Sequence, residues 1–156
     1  MVLNIWFNRW FSTVSHYMEL IRHNPDQQEF IIHGTHPNSD TVYFNYCDVF
    51  STEPDIEGED YIQFCLDYCI QNKIHIFVPR KENVLISRHL EKFEDIGVSV
   101  LVCPDGDLMA MVDNKAAMYQ SLQNQEKEGN FIVTIPSYQI VNNAKEFKEA
   151  YEQLSK

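Results

Sequence analysis

A chain of 156 residues supplies one ordinary domain, or one domain with part of a second. Its 44% hydrophobic and 13% aromatic content is enough for a packed core and excludes global disorder. Twelve basic residues against 23 acidic ones leave a formal charge of -11, which argues against nucleic acid and anionic membranes as partners but leaves room for a small anion in a local pocket. The apolar start, Met1 to Arg9, is too brief for a signal peptide or a membrane span, and no other stretch is long enough. Four irregularly spaced cysteines (Cys47, Cys65, Cys69, Cys103) do not make a secreted disulfide framework, so a reduced cytoplasmic setting is expected.

Along the chain, Leu3 to Phe7 reads as a short buried strand. Ser12 and Thr13 are candidate caps of a helix to about His23, with Val14, Tyr17, Met18 and Ile21 on its inward face. Glu29 to His33 is a second strand, which Gly34-Thr35-His36-Pro37 is expected to break. Val42 to Phe50 reads as a turn of helix and then a short strand. Acids at Glu59 and Asp60 suit the start of a helix that runs to Asn72. Ile74 to Val78 is the clearest strand, ended by Pro79. Glu82 to Ile96 is expected to be one helix stopped by Gly97, and Val98 to Val102 another buried strand.

After Pro104 the pattern changes. Asp105 to Val112 reads as a short helix, and Asp113 as the cap of another from Asn114-Lys115 to about Gln123. A loop is expected over Gln123 to Asn130, then strands at Phe131 to Ile135 and Tyr138 to Val141. Asn143 with Glu146 resembles a capping box opening a last helix through Leu154. The alternation of apolar strands and amphipathic helices predicts an α/β fold with an open, mainly parallel sheet flanked by helices. The later elements read as the incomplete start of a second domain.

Ligands of open parallel sheets bind beyond the C-terminal strand ends, where the strand order reverses. The residues there are polar: Arg9, Ser12 and Thr13 after the first strand, Thr35 and His36 after the second, and Arg80 and Lys81 after Val78. Arg9 and Arg80 converging on one rim would make an anion site for a carboxylate or phosphate. Other signals are weaker. There is neither a G-x-G-x-x-G dinucleotide fingerprint nor a P-loop. His33 and His36 lack a third metal ligand at a recognisable spacing, so no metal site is expected. His75, His89 and the Cys65/Cys69 pair read as structural. The acidic run Glu53, Asp55, Glu57, Glu59, Asp60 reads as a solvated helix start.

Several segments carry a family resemblance: Asn4 to Thr13, Ile76-Phe77-Val78-Pro79-Arg80, the Asp113-Asn114-Lys115 helix start, and Ile135 to Val141 followed by Phe147. Together they resemble the N-terminal part of an ATP-grasp enzyme. The similarity is closest to the ATP-grasp proteins of tellurium-resistance gene clusters, and more distant to carbamoyl-phosphate-synthase-like and biotin-carboxylase-like members. The resemblance implies a Rossmann-like pre-ATP-grasp domain over residues 1 to about 103 and the truncated opening of the ATP-grasp domain from about 104. It implies that Lys115 contacts a nucleotide phosphate. It also implies ATP and Mg2+ as cofactors of the full-length enzyme, with small-molecule carboxylate and amine substrates joined through an acyl-phosphate. The 156-residue chain alone is expected to be inactive, because the family's other phosphate and metal ligands lie later in its fold. No catalytic residue is assigned, and homodimerisation is left open. The competing reading is a stand-alone α/β domain that binds or senses a small anion without catalysis. A different Rossmann-like enzyme is disfavoured by the lack of a glycine fingerprint and of any nucleophile–base motif.

Overall fold

The computed structural model describes residues 1–129 and 135–154, which divide into two units, Met1–Gly106 and Asp107–Lys156. In the first, β1 (Leu3–Asn8), β2 (Phe30–His36), β3 (Val49–Thr52), β4 (Ile76–Val78) and β5 (Ser99–Val100) form one sheet in the order β3-β2-β1-β4-β5. Every pairing is parallel, with Ile5 opposite both Ile32 and Ile76. The order runs outward from β1 through β2 to β3 and then restarts on the other side with β4. The switch point therefore lies between β1 and β4.

Both faces of β1 are buried, as a central parallel strand requires, and successive side chains feed two cores. Ile5 and Phe7 join Val14, Met18, Ile32 and Tyr43 beneath α1 (Val14–Arg22) and a 3-10 turn (Val42–Tyr46). Trp6 points the other way, into Tyr61, Ile62, Cys65 and Cys69 of α2 (Gly58–Gln71), Ile86 of α3 (Asn83–Arg88) and Phe93 of α4 (Leu90–Glu94). Its ring stacks on Phe77 at 4.1 Å and lies 4.5 Å from Tyr68. Each such pair contributes about 0.5–1.5 kcal/mol beyond area burial.

Several expectations are corrected. Strand β2 runs through Gly34 and Thr35 to His36, because pairing with both β1 and β3 satisfies the backbone there. The glycine is a packing residue, not a breaker: a Cβ on it would lie 2.4 Å from Cys47 Sγ and 3.0 Å from Tyr43. The helix expected over Glu82 to Ile96 is two helices that meet at His89, although Gly97 does supply a left-handed stop, with φ +76°. Thr13 stands at the cap position of α1 but its hydroxyl caps nothing, and Tyr17 is 59% exposed instead of inward. The cysteines are free; burial pushes the Cys69 thiol up to about 12 and Cys65 in the same direction, as expected of structural thiols.

α5 (Gly106–Asp113) leads into the second unit, which contains α6 (Lys115–Lys127) and α7 (Ala144–Leu154). The cap of α6 is Asn114, not Asp113: its side chain accepts from the Ala116 and Ala117 amides at 3.1 and 3.2 Å. α6 also extends through Lys127, where a loop was expected, since Gln123 to Lys127 contains no helix breaker. Residues 138–141 form no strand; the Tyr138 ring packs on Tyr119 at 4.9 Å instead. Of the strand expected at Phe131 to Ile135, residues 131–134 lie outside the described residues. The last helix starts as expected, with Asn143 Oδ1 accepting from the Lys145 and Glu146 amides.

No helix among the described residues is long and apolar enough to cross a membrane.

Candidate functional site at the sheet switch point

The rim at the C-terminal ends of β1 and β4 is built on Asn8, the last residue of β1, which is fully buried. Its Oδ1 accepts the Arg80 backbone N–H, and its Nδ2 donates to Tyr61 Oη at 2.9 Å and to the Lys81 carbonyl at 3.3 Å. Trp10 Nε1 donates to the Val78 carbonyl at 2.8 Å. One side chain at the end of β1 and one on the turn after it thus fix the end of β4 and the backbone that follows.

Beside it lies a buried carboxylate. Glu53 is fully buried and accepts from Arg9 Nε, from Thr35 Oγ1 at 2.7 Å and from Tyr61 Oη at 3.2 Å. Thr35 Oγ1 in turn accepts from Trp6 Nε1 at 3.0 Å. Burial opposes a charge on Arg9, but the hydrogen bond and charge of Glu53 outweigh it and hold the guanidinium above its ordinary pKa. The Tyr61 hydroxyl is pushed up, first by burial and then by neighbouring Cys65 and Glu53. Arg9 itself sits at φ +44°, a left-handed geometry that costs a non-glycine residue about 1–3 kcal/mol and persists only where the surroundings over-determine it. Here the Arg9 N–H donates to the Thr35 carbonyl at 2.8 Å, and its guanidinium also reaches the Pro54 carbonyl and Asp55.

The residues singled out from the sequence separate into three groups. Arg9 and Thr35 belong to the buried network: Thr35 has no exposed surface, and Arg9 is held by the 53–55 segment and the Thr35 carbonyl, with its guanidinium 5.8 Å from the centre of the Tyr61 ring. Lys81 is held by Glu57 at 2.8 Å and lies 3.7 Å from Glu82. Its hydrogen bond and charge hold the Glu57 carboxyl below the usual range. Ser12 and Thr13 are exposed on the turn, and His36 is half-buried, with its Nδ1 accepting the Asn38 N–H at 3.0 Å. Arg80 differs from all of these. No carboxylate among the described residues pairs with it, and its guanidinium lies 5.0 Å from the centre of the Phe11 ring.

The residue that sequence reasoning missed is Glu53. It opens a run of acids that looks like a solvated helix start, and the rest of the run behaves that way: Asp55, Glu57, Glu59 and Asp60 are exposed or nearly so. Glu53 differs because it directly follows β3, and the Glu53 N–H is held by the His36 carbonyl at 3.3 Å. A carboxylate directly after one strand, with an arginine directly after another, was the available signal.

His33 and His36 do not form a metal pair: three residues apart on a strand, they face opposite sides. Among the described residues no group of three or more His, Cys, Asp or Glu is placed to hold a metal. The buried His33 donates Nε2–H to Asn4 Oδ1 at 3.2 Å; the Asn4 amide is oriented by Nδ2 donating to the Lys73 carbonyl. Nδ1 is buried with no hydrogen-bond partner among the described residues. Burial lowers the His33 pKa, only partly offset by Asp48. The folded state therefore binds this proton less readily than the unfolded chain. Stability from His33 is complete above about pH 6.5 and falls as the solution is acidified below it, by no more than about 1.4 kcal/mol per pH unit. Urea unfolding of wild type and His33→Phe between pH 7.5 and 5 is expected to show a shallower acid loss in the variant; parallel curves would remove His33 as the cause.

No protein-family model matches the sequence, and no curated protein matches it either. Solved structures do match. The ADP complex of N5-carboxyaminoimidazole ribonucleotide synthetase superposes over 99% of this chain and 35% of its own, with TM-score 0.53 and 14% identity. The biotin carboxylase subunit of pyruvate carboxylase matches over 99% of this chain and 33% of its own, with TM-score 0.53 and 10% identity. A single-chain, multi-domain long-chain acyl-CoA carboxylase matches over 96% of this chain and 14% of its own, with TM-score 0.52 and 10% identity. The shared feature is the fold: a five-stranded parallel sheet flanked by helices, as in the N-terminal domain of the biotin carboxylase and the synthetase. The chain spans about a third or less of the length of these structures.

Proposed function

We infer that the chain is the N-terminal portion of an ATP-grasp enzyme that joins a carboxylate to an amine or related nucleophile, using ATP and Mg2+ through an acyl-phosphate. The observation that carries this reading is the extent of the fold match, which takes in 99% of the chain and so includes the segment after Gly106 as well as the sheet. In this assignment residues 1–103 form the pre-ATP-grasp domain and 104–156 the opening of the ATP-grasp domain; within the superfamily the sequence resemblance is to the members of tellurium-resistance gene clusters. The switch-point rim, with Arg80 as its unpaired cation, holds the small-molecule substrate.

The nucleotide contact in this reading is Lys115, the first residue of α6. It is exposed and has no carboxylate partner among the described residues, and a cation there opposes the positive end of the helix dipole. A phosphate at that position removes the conflict. ATP would supply the phosphoryl group that activates the carboxylate, with Mg2+ neutralising the phosphates. Lys115 would hold a phosphate oxygen by a charge-assisted hydrogen bond.

Calorimetric titration of the chain with ATP and Mg2+ is expected to show binding that Lys115→Ala weakens about tenfold, the loss of one charge-assisted bond. Equal affinities would strike Lys115 from the site. The same sample is expected to release no ADP on standing, and steady ADP production would overturn its assignment as an inactive portion. Absence of nucleotide binding would favour the second reading, a stand-alone small-anion domain, which the unpaired Arg80 also supports.

A further inference from the structure

Resting on the reading of the switch-point rim as a substrate site, we propose that its ligand carries a single carboxylate next to a planar aromatic or conjugated group, with Arg80 taking the carboxylate and Phe11 the ring. Charge decides the first half. Three cations follow the strands at this end of the sheet, and two are spent within the protein: Arg9 on Glu53 and Asp55, Lys81 on Glu57 and Glu82. What remains for a ligand is one guanidinium on a chain of net charge -11. That suits one negative charge better than a phosphate dianion, which would meet only a single countercharge. A guanidinium is also the side chain whose paired N–H groups match the two oxygens of a carboxylate.

The aromatic half rests on Phe11, which is 63% exposed although it stands on the turn directly after the central strand. The turn is not loose. Its neighbour Trp10 is tied to the Val78 carbonyl, and the backbone of Arg80 is tied to buried Asn8, so ring and guanidinium are presented from two anchored segments on either side of the switch point. The guanidinium already lies 5.0 Å from the centre of the ring, within cation–π range. A planar acid placed against this pair keeps its carboxylate on Arg80 and adds ring-to-ring contact with Phe11. An aliphatic acid of the same charge gains only the first.

The test uses the 156-residue chain and three probes, benzoate, cyclohexanecarboxylate and inorganic phosphate, followed by amide chemical-shift titration. Benzoate is expected to bind about fivefold more tightly than cyclohexanecarboxylate, the range of one aromatic pair, with shifts centred on the 8–13 and 78–82 segments, and phosphate more weakly than either. Phe11→Leu is expected to bring the two carboxylates to equal affinity, and Arg80→Gln to abolish both, each with an unchanged Tm. Phosphate binding as tightly as benzoate, equal affinities in the wild type, or a preference that survives Phe11→Leu would overturn the proposal. Titration of the same samples with ATP and Mg2+ keeps the two readings apart. Benzoate binding without ATP binding removes the ligase reading and leaves the rim assignment standing, and ATP binding without benzoate binding does the reverse.

Discussion

Replacing Arg9 by methionine is expected to cost about 3 kcal/mol of unfolding free energy, the low end of what breaking a buried ion pair costs. The substitution keeps most of the side-chain volume but takes the countercharge from Glu53, which has no access to water and would keep only the Thr35 and Tyr61 hydroxyls as donors. It also removes part of what holds residue 9 at positive φ. The second substitution, Glu53→Gln in the Arg9→Met background, removes the uncompensated charge and is expected to recover part of the loss. A double-mutant cycle in urea thus gives a favourable coupling energy between the two positions. Independent, additive effects would mean that the pair is not a unit. The network also bears on function, because Tyr61 links Glu53 to Asn8, and Asn8 sets the backbone of Arg80. A destabilised Arg9→Met variant that still folds is therefore expected to bind benzoate more weakly as well.

Gly34→Ala is the next largest effect, about 2 kcal/mol from overpacking. The added methyl would sit 2.4 Å from Cys47 Sγ, 3.0 Å from Tyr43 and 3.2 Å from Phe50, and strand pairing on both sides of β2 prevents the backbone from backing away. The Tyr43 hydroxyl donates to the Thr35 carbonyl, so movement of that ring presses on the residue that anchors Glu53. Combining the change with Cys47→Ala removes the nearest atom, and the double variant is expected to lose less than the sum of the two single losses in urea unfolding. A midpoint unchanged by Gly34→Ala alone would show that this seam has slack the distances do not suggest.

Periodicity alone determined the alternation of strands and helices, the parallel α/β class and the rim at the strand ends. Each follows from near neighbours in the chain: β-branched runs such as Ile76 to Val78, a glycine stop at Gly97, the Asn143–Glu146 start of the last helix. Local rules failed where distant partners intervened. Gly34 looks like a breaker until β1 and β3 pair with it on either side. Glu82 to Ile96 looks like one helix, but the backbone leaves helical geometry at His89, with φ -119° and ψ 22°.

The same division applies to the site. The sequence places Arg9, Arg80 and Lys81 after strands and Thr35 near the end of one, and it predicts that they gather at one end of a sheet. Which of them remains available to a ligand is a question of pairing. Glu53 lies 44 residues from Arg9 and 18 from Thr35, and only the folded sheet brings all three together. Burial makes that contact consequential, because a carboxylate without water must be answered by the protein's own donors. Composition and periodicity reveal how many charges a chain carries and roughly where they lie. Tertiary structure alone decided which of them cancel, and it left Arg80 beside Phe11 as the cation on this rim with no carboxylate partner among the described residues.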